Sequence, residues 1–70
     1  MNTDEIDFLK PNIREYDDFI NVDIENEIAT DTAIQSLYAF AKANNLIFNS
    51  IRFENGKYHC LLLRHHIKSY

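Results

Sequence analysis

The dipeptide Asn55-Gly56 constrains this chain more than any other feature. Asn-Gly between two runs of alternating apolar residues is the preferred two-residue type I′ hairpin turn, because both central positions need a positive φ. Gly56 is the only glycine in 70 residues, so the turn uses the chain's whole supply. With the turn centred there, Glu54 faces Lys57, Phe53 faces Tyr58, Arg52 faces His59, Ile51 faces Cys60 and Ser50 faces Leu61. Continued without interruption, the register pairs Asn49 with Leu62, Phe48 with Leu63, Ile47 with Arg64 and Leu46 with His65. Side chains alternate across a strand. One face therefore carries Ile47, Ile51, Phe53, Tyr58, Cys60 and Leu62 and is expected to meet the core. The other carries Leu46, Phe48, Leu61 and Leu63, with Ser50, Arg52, His59 and His65 among or beside them. The continuous run Leu61-Leu62-Leu63 predicts a central strand with both faces at least partly covered.

Upstream of the hairpin, Ala33, Ile34, Leu37, Tyr38, Phe40 and Ala41 recur at helical spacing. Thr30-Asp31-Thr32 supplies N-cap candidates and Asn44-Asn45 a stop. Ile34, Leu37, Tyr38 and Ala41 are expected on the sheet, with Ala33 and Phe40 toward the flank. Earlier still, residues 19–25 alternate Ile20, Val22 and Ile24 with Asn21, Asp23 and Glu25, which predicts a half-exposed strand at a sheet edge. The first eighteen residues predict a short helix from Thr3 to Lys10, ended by Pro11, and a further helical turn over residues 12–17.

These elements predict a single α+β domain over residues 1–70. It is a two-layer sandwich of strand, helix, strand and strand, with an antiparallel three-stranded sheet in the order one, three, two. One main helix covers one face, and the N-terminal segment is short and helical or irregular. The second face then needs covering, either by Ile6, Phe8, Ile13 and Tyr16 or by another molecule. A chain this short hides only about 60% of its unfolded surface, so the core is expected to be thin. Hydrophobic residues at 46% and nine aromatics still exclude a disordered tail.

Charge is divided along the chain. Residues 1–31 hold ten acids against Lys10 and Arg14, a balance of −8, whereas residues 32–70 hold five bases against Glu54, a balance of +4. Such asymmetry points to a charged partner or a self-complementary contact. The acidic candidates for partner binding are Glu15, Tyr16, Asp17, Asp18, Asp23, Glu25 and Glu27. The sheet-face candidates are Leu46, Phe48, Arg52, His59, Leu61 and Leu63.

Chemistry has few ingredients here. Cys60 and His59 are strand neighbours that point to opposite faces, so they cannot act as a nucleophile and base, and Cys60 reads as an inert core residue. His59 and His65 share a face but lie about 20 Å apart along a strand, too far for one ion. No zinc spacing, P-loop or dinucleotide fingerprint is matched. The sequence therefore predicts no enzyme, no metal and no cofactor. A single-strand nucleic-acid platform built on Phe48, Arg52, His59 and His65 ranks lower, because the domain is acidic. The lone cysteine and the missing signal or membrane segment predict a cytoplasmic protein, in the host cytoplasm if virus-encoded.

In length, acidity and the order strand-helix-strand-strand, the chain resembles the small inhibitors encoded by phages and mobile elements, the anti-CRISPR proteins among them. No functional residue is carried over. The resemblance implies a non-enzymatic inhibitor whose carboxylates dock on a basic, nucleic-acid-binding surface of a partner protein. The alternative is a homodimeric regulator or assembly subunit that uses the apolar sheet face and reaches acids or nucleic acid with its basic tail, residues 64–68.

Overall fold

The computed structural model describes residues 1–25 and 28–65. A 3-10 turn (Asp7–Leu9) leads into β1 (Asn12–Glu15) and β2 (Phe19–Glu25), then α1 (Thr30–Ala43), β3 (Leu46–Glu54) and β4 (Lys57–Arg64). The fold is α+β, with one antiparallel sheet of four strands in the order β1-β2-β4-β3. This corrects the expected three-stranded sheet and its order. The extra strand is β1, which lies outside β2 and takes the edge position expected of residues 19–25.

Residues 12–17 were expected to turn helically because Ile13 and Tyr16 are three apart, but they belong to a hairpin. Tyr16 N–H donates to the Phe19 carbonyl at 2.9 Å, closing the chain reversal over Asp17-Asp18. Ile13 then stands opposite Val22 and packs against the core. Four residues are too few for a helix to hold itself, whereas pairing with a seven-residue strand satisfies their backbone groups at once. The expected helix over residues 3–10 is likewise reduced to the 3-10 turn. Lys10 ends it at φ 51° and donates its N–H to the Asp7 carbonyl, turning the chain into Pro11 and β1.

At the Asn55-Gly56 turn both φ values are positive, 54° and 76°, as a type I′ turn requires. The register expected from it runs from Glu54/Lys57 to Ser50/Leu61 and then shifts, because Asn49 forms a bulge. Beyond it Phe48 faces Leu62, Ile47 faces Leu63 and Leu46 faces Arg64. A one-residue slip exchanges the faces of a strand. Leu46 is buried and Phe48 half-buried on the helix side, while Ile47 turns outward and is 43% exposed. An uninterrupted register would place these three the other way round.

On the helix side, opposed pairs from the two central strands form the floor of the core: Ile20/Leu62, Val22/Cys60 and Ile24/Tyr58, all buried. From α1 come Ala33, Leu37, Phe40 and Ala41. The helix is rotated from the expected setting. Phe40 is fully buried, and Tyr38 is 56% exposed with its ring stacked on Phe48 at 4.3 Å. The rotation has a cause in the N-terminal segment, whose Ile6 and Leu9 join the same core and widen the apolar face the helix must meet. Asn2 fixes that segment to the end of α1: its N–H donates to Asn44 Oδ1 at 2.7 Å, and Asn44 Nδ2 donates to its carbonyl at 2.6 Å. At the other end the expected side-chain cap is absent. Ala29 takes the N-cap position, and the Thr30 hydroxyl shares a hydrogen bond of 2.8 Å with Tyr58 Oη instead.

The N-terminal segment therefore packs on the helix side and does not cover the second face. No helix among the described residues is long and apolar enough to cross a membrane.

Phe40 is the largest fully buried side chain, in a core of thirteen described residues. Phe40→Ala should cost about 3–5 kcal/mol, as much as a single small core usually supplies. Far-UV circular dichroism in a urea series should find Phe40→Ala largely unfolded at 25 °C. Tyr38→Ala, on the same helix, should lose less than about 1.5 kcal/mol through its exposed stack. Equal losses would mean that the helix does not sit on Phe40.

Candidate functional site

The face of the sheet turned away from α1 is built in rows that cross the strands. At one end Phe19, Leu63 and Ile47 stand side by side on β2, β4 and β3. The Tyr16 ring extends this row by stacking on Phe19 at 4.5 Å. Next come Arg14, Asn21, Leu61 and Ser50, and after them Asn12, Asp23, His59 and Arg52. The far end holds Glu25, Lys57 and Glu54. The face thus grades from apolar to charged along the strand direction.

Asp23 is the centre of its polar half. Its carboxylate is only 16% exposed; Oδ1 lies 2.8 Å from His59 Nδ1 and Oδ2 accepts from the Arg14 guanidinium at 3.1 Å. Thirty-six residues separate Asp23 from His59, and only the pairing of β2 with β4 puts them together. Alternation along β2 put Asp23 on the polar side, but its partners were not legible without the cross-strand register. A carboxylate on Nδ1 is the base-orienting half of a hydrolytic relay. Among the described residues, however, no hydroxyl or thiol is hydrogen-bonded to His59. Ser50, on the neighbouring strand, is reached by Asn49 Nδ2 at 3.5 Å.

Of the predicted sheet-face residues, Arg52, His59, Leu61 and Leu63 are together on this open face, while Leu46 and Phe48 are on the helix side. The Asn49 bulge separates the two groups. It also removes the aromatic from the nucleic-acid platform that was built on Phe48.

The predicted acidic site is dispersed. Glu15, Tyr16, Asp17 and Asp18 lie at the β1–β2 turn, roughly 23 Å along β2 from Glu25. Glu27 lies outside the described residues. Three of the acids already have partners in the basic half of the chain: Glu15 pairs with Arg64 at 3.2 Å and Glu25 with Lys57 at 3.5 Å, and Asp23 is hydrogen-bonded to His59. The −8 and +4 halves are thus folded against each other. Of the basic tail, Arg64 and His65 are described; Arg64 is held by Glu15 and by the Tyr16 carbonyl at 3.0 Å, and the remaining tail residues lie outside the described ones.

Among the described residues, no group of three or more His, Cys, Asp or Glu side chains is gathered closely enough to hold a metal ion. A surface groove of about 360 Å³ beside β3 is lined by Thr30, Ile51, Arg52, Phe53 and Tyr58. Its two hydroxyls are bonded to each other, and Tyr58 Oη also lies 3.4 Å from the Ile28 carbonyl.

Cys60 is buried opposite Val22 and Ile51, and burial pushes its thiol up to about 12. At pH 8 the thiolate is then on the order of one part in ten thousand of the total. Iodoacetamide at pH 8 should leave the native protein unlabelled over an hour and alkylate it fully in 8 M urea. Native labelling at the urea rate would place the thiol at the surface. No family model, curated protein or solved structure matches the chain.

Proposed function

We propose that this protein is a non-enzymatic protein-binding regulator whose working surface is the open face of its sheet. One observation carries the reading. The helix and the N-terminal segment both pack on the same side, leaving the row Tyr16, Phe19, Leu63 and Ile47 without a covering element among the described residues. Contiguous apolar surface rimmed by polar groups is the usual mark of a protein contact. Here the rim consists of Arg14, Asp23, His59 and Arg52 on one side and the Asp17-Asp18 turn on the other.

The inhibitor reading, in which carboxylates occupy a basic site on a partner, keeps one supporting observation. Asp4, Glu5, Asp7 and Asp17 are exposed, and no ion pair engages them among the described residues. The acids nearest the open face are engaged internally, so the sheet face is the stronger candidate for the contact.

A photo-crosslinking residue separates the surfaces. Placed at Ile47 in the expressing cell, it should give discrete protein adducts on irradiation. Placed at Gln35, exposed on α1, it should give none. Adducts from Gln35 alone would move the working surface to the helix and overturn the proposal.

A further inference from the structure

Resting on the open-face reading, we infer that the partner which fits this face is a second copy of the same chain, packed sheet to sheet about a two-fold axis that runs parallel to the strands between β2 and β4. Such an axis keeps each row at its own height and exchanges the strands, so β2 of one copy lies over β4 of the other and β1 over β3. The apolar row and the charged rows then each meet a complement. In the apolar row, Phe19 lies over the second copy's Leu63, and Tyr16 lies over its Ile47. In the charged rows, Asp23 lies over the second copy's His59 and Glu25 over its Lys57. Symmetry makes each contact twice. Acids are on β2 and bases on β4 throughout this half of the face, so the exchange of these two strands is the operation that turns the pattern into its own complement. An in-plane axis across the strands would instead lay the apolar row on the charged one. Sheet-on-sheet packing at about −30° keeps the two central strands in contact while the corners diverge, so the β2/β4 contacts carry the interface.

The size of the face sets the strength. Seven residues of β2 and four strands span roughly 23 by 19 Å, about 400 Å² in plan on each copy, below what a stable dimer buries and in the range of weak, transient contacts. The association is therefore expected in the micromolar range.

Sedimentation velocity from 5 to 500 µM should find a monomer–dimer equilibrium in the wild-type chain. Glu25→Lys puts two bases in the row where the copies meet, and Lys57→Glu puts two acids there. Each variant alone should dimerise about tenfold more weakly. An equimolar mixture should recover wild-type association, because one variant's basic pair then faces the other's acidic pair. Both positions are exposed, and matching far-UV spectra check that the variants fold. The inference is overturned by a wild-type chain that stays monomeric throughout, by variants that associate as the wild type does, or by a mixture no tighter than its components. A monomeric chain that still crosslinks from Ile47 to a different protein overturns the second copy alone and leaves the open-face reading standing.

Discussion

The antiparallel ladder between β2 and β4 is the contact on which everything else in this protein depends. Seven consecutive pairs, from Phe19/Leu63 to Glu25/Lys57, join residues some thirty to forty-five positions apart. On one side of the ladder the pairs Ile20/Leu62, Val22/Cys60 and Ile24/Tyr58 are the floor on which α1 and the N-terminal segment rest. On the other side Asp23/His59 and Glu25/Lys57 set acid beside base. A net charge of −4 split as −8 and +4 would strain a fold that kept the halves apart; this ladder places the two against each other. The surface pairs add little stability individually, but they oppose any register in which acids would face acids.

The asymmetry of the two faces follows from how little chain there is. One helix of fourteen residues and a short N-terminal segment are enough to close one side of a four-stranded sheet. The Asn49 bulge strengthens that side at the expense of the other. It turns Leu46 and Phe48 toward α1, where Phe48 receives the Tyr38 ring, and sends Ile47 outward in exchange. Without the bulge the open face would carry Leu46 and Phe48 and the core would lose both. The bulge thus lowers the apolar load of the open face to one row and Leu61 beside it, with polar residues over the remainder, as suits a surface that is sometimes wet.

Local signals in the sequence were strong where one residue type forces one geometry. Asn55-Gly56 gave the hairpin, and the polar–apolar alternation of residues 19–25 gave β2. Asn45, left-handed at φ 55°, marks the end of α1. The coarse α+β class followed from these elements. What escaped was decided by tertiary contacts. β1 has one inward apolar residue, Ile13, and a strand that short is visible only as the partner of β2. Asn49 carries no mark of a bulge, since nothing in Phe-Asn-Ser forces a slip; the reward is the burial of Leu46 and Phe48 two positions away. The helix orientation depends on Ile6 and Leu9 in the core, whereas from the sequence Ile6 is expected over the second face and Leu9 has no assigned place. Four of the six predicted sheet-face residues, Leu61, Leu63, Arg52 and His59, were legible from alternation alone. The Asp23–His59 contact was not, because it needs the register between strands separated by a whole helix.

That contact also bears on whether the open face can be covered at all. Burying a charge without a partner is far costlier than leaving it in water, and a face carrying Asp, His and Arg near its middle would ordinarily resist being covered. Here the cost has largely been met within the chain. Asp23 already accepts hydrogen bonds on both oxygens and is 16% exposed, and His59 is 27% exposed with Nδ1 committed to it. Covering these groups removes little further water and orphans no oxygen of Asp23. Arg52 and Glu54, on the edge strand β3, have stems that can bend out to solvent. The internal ion pairs therefore prepare the open face for contact: they hold its central charges in a form that a second surface can cover without having to supply their partners.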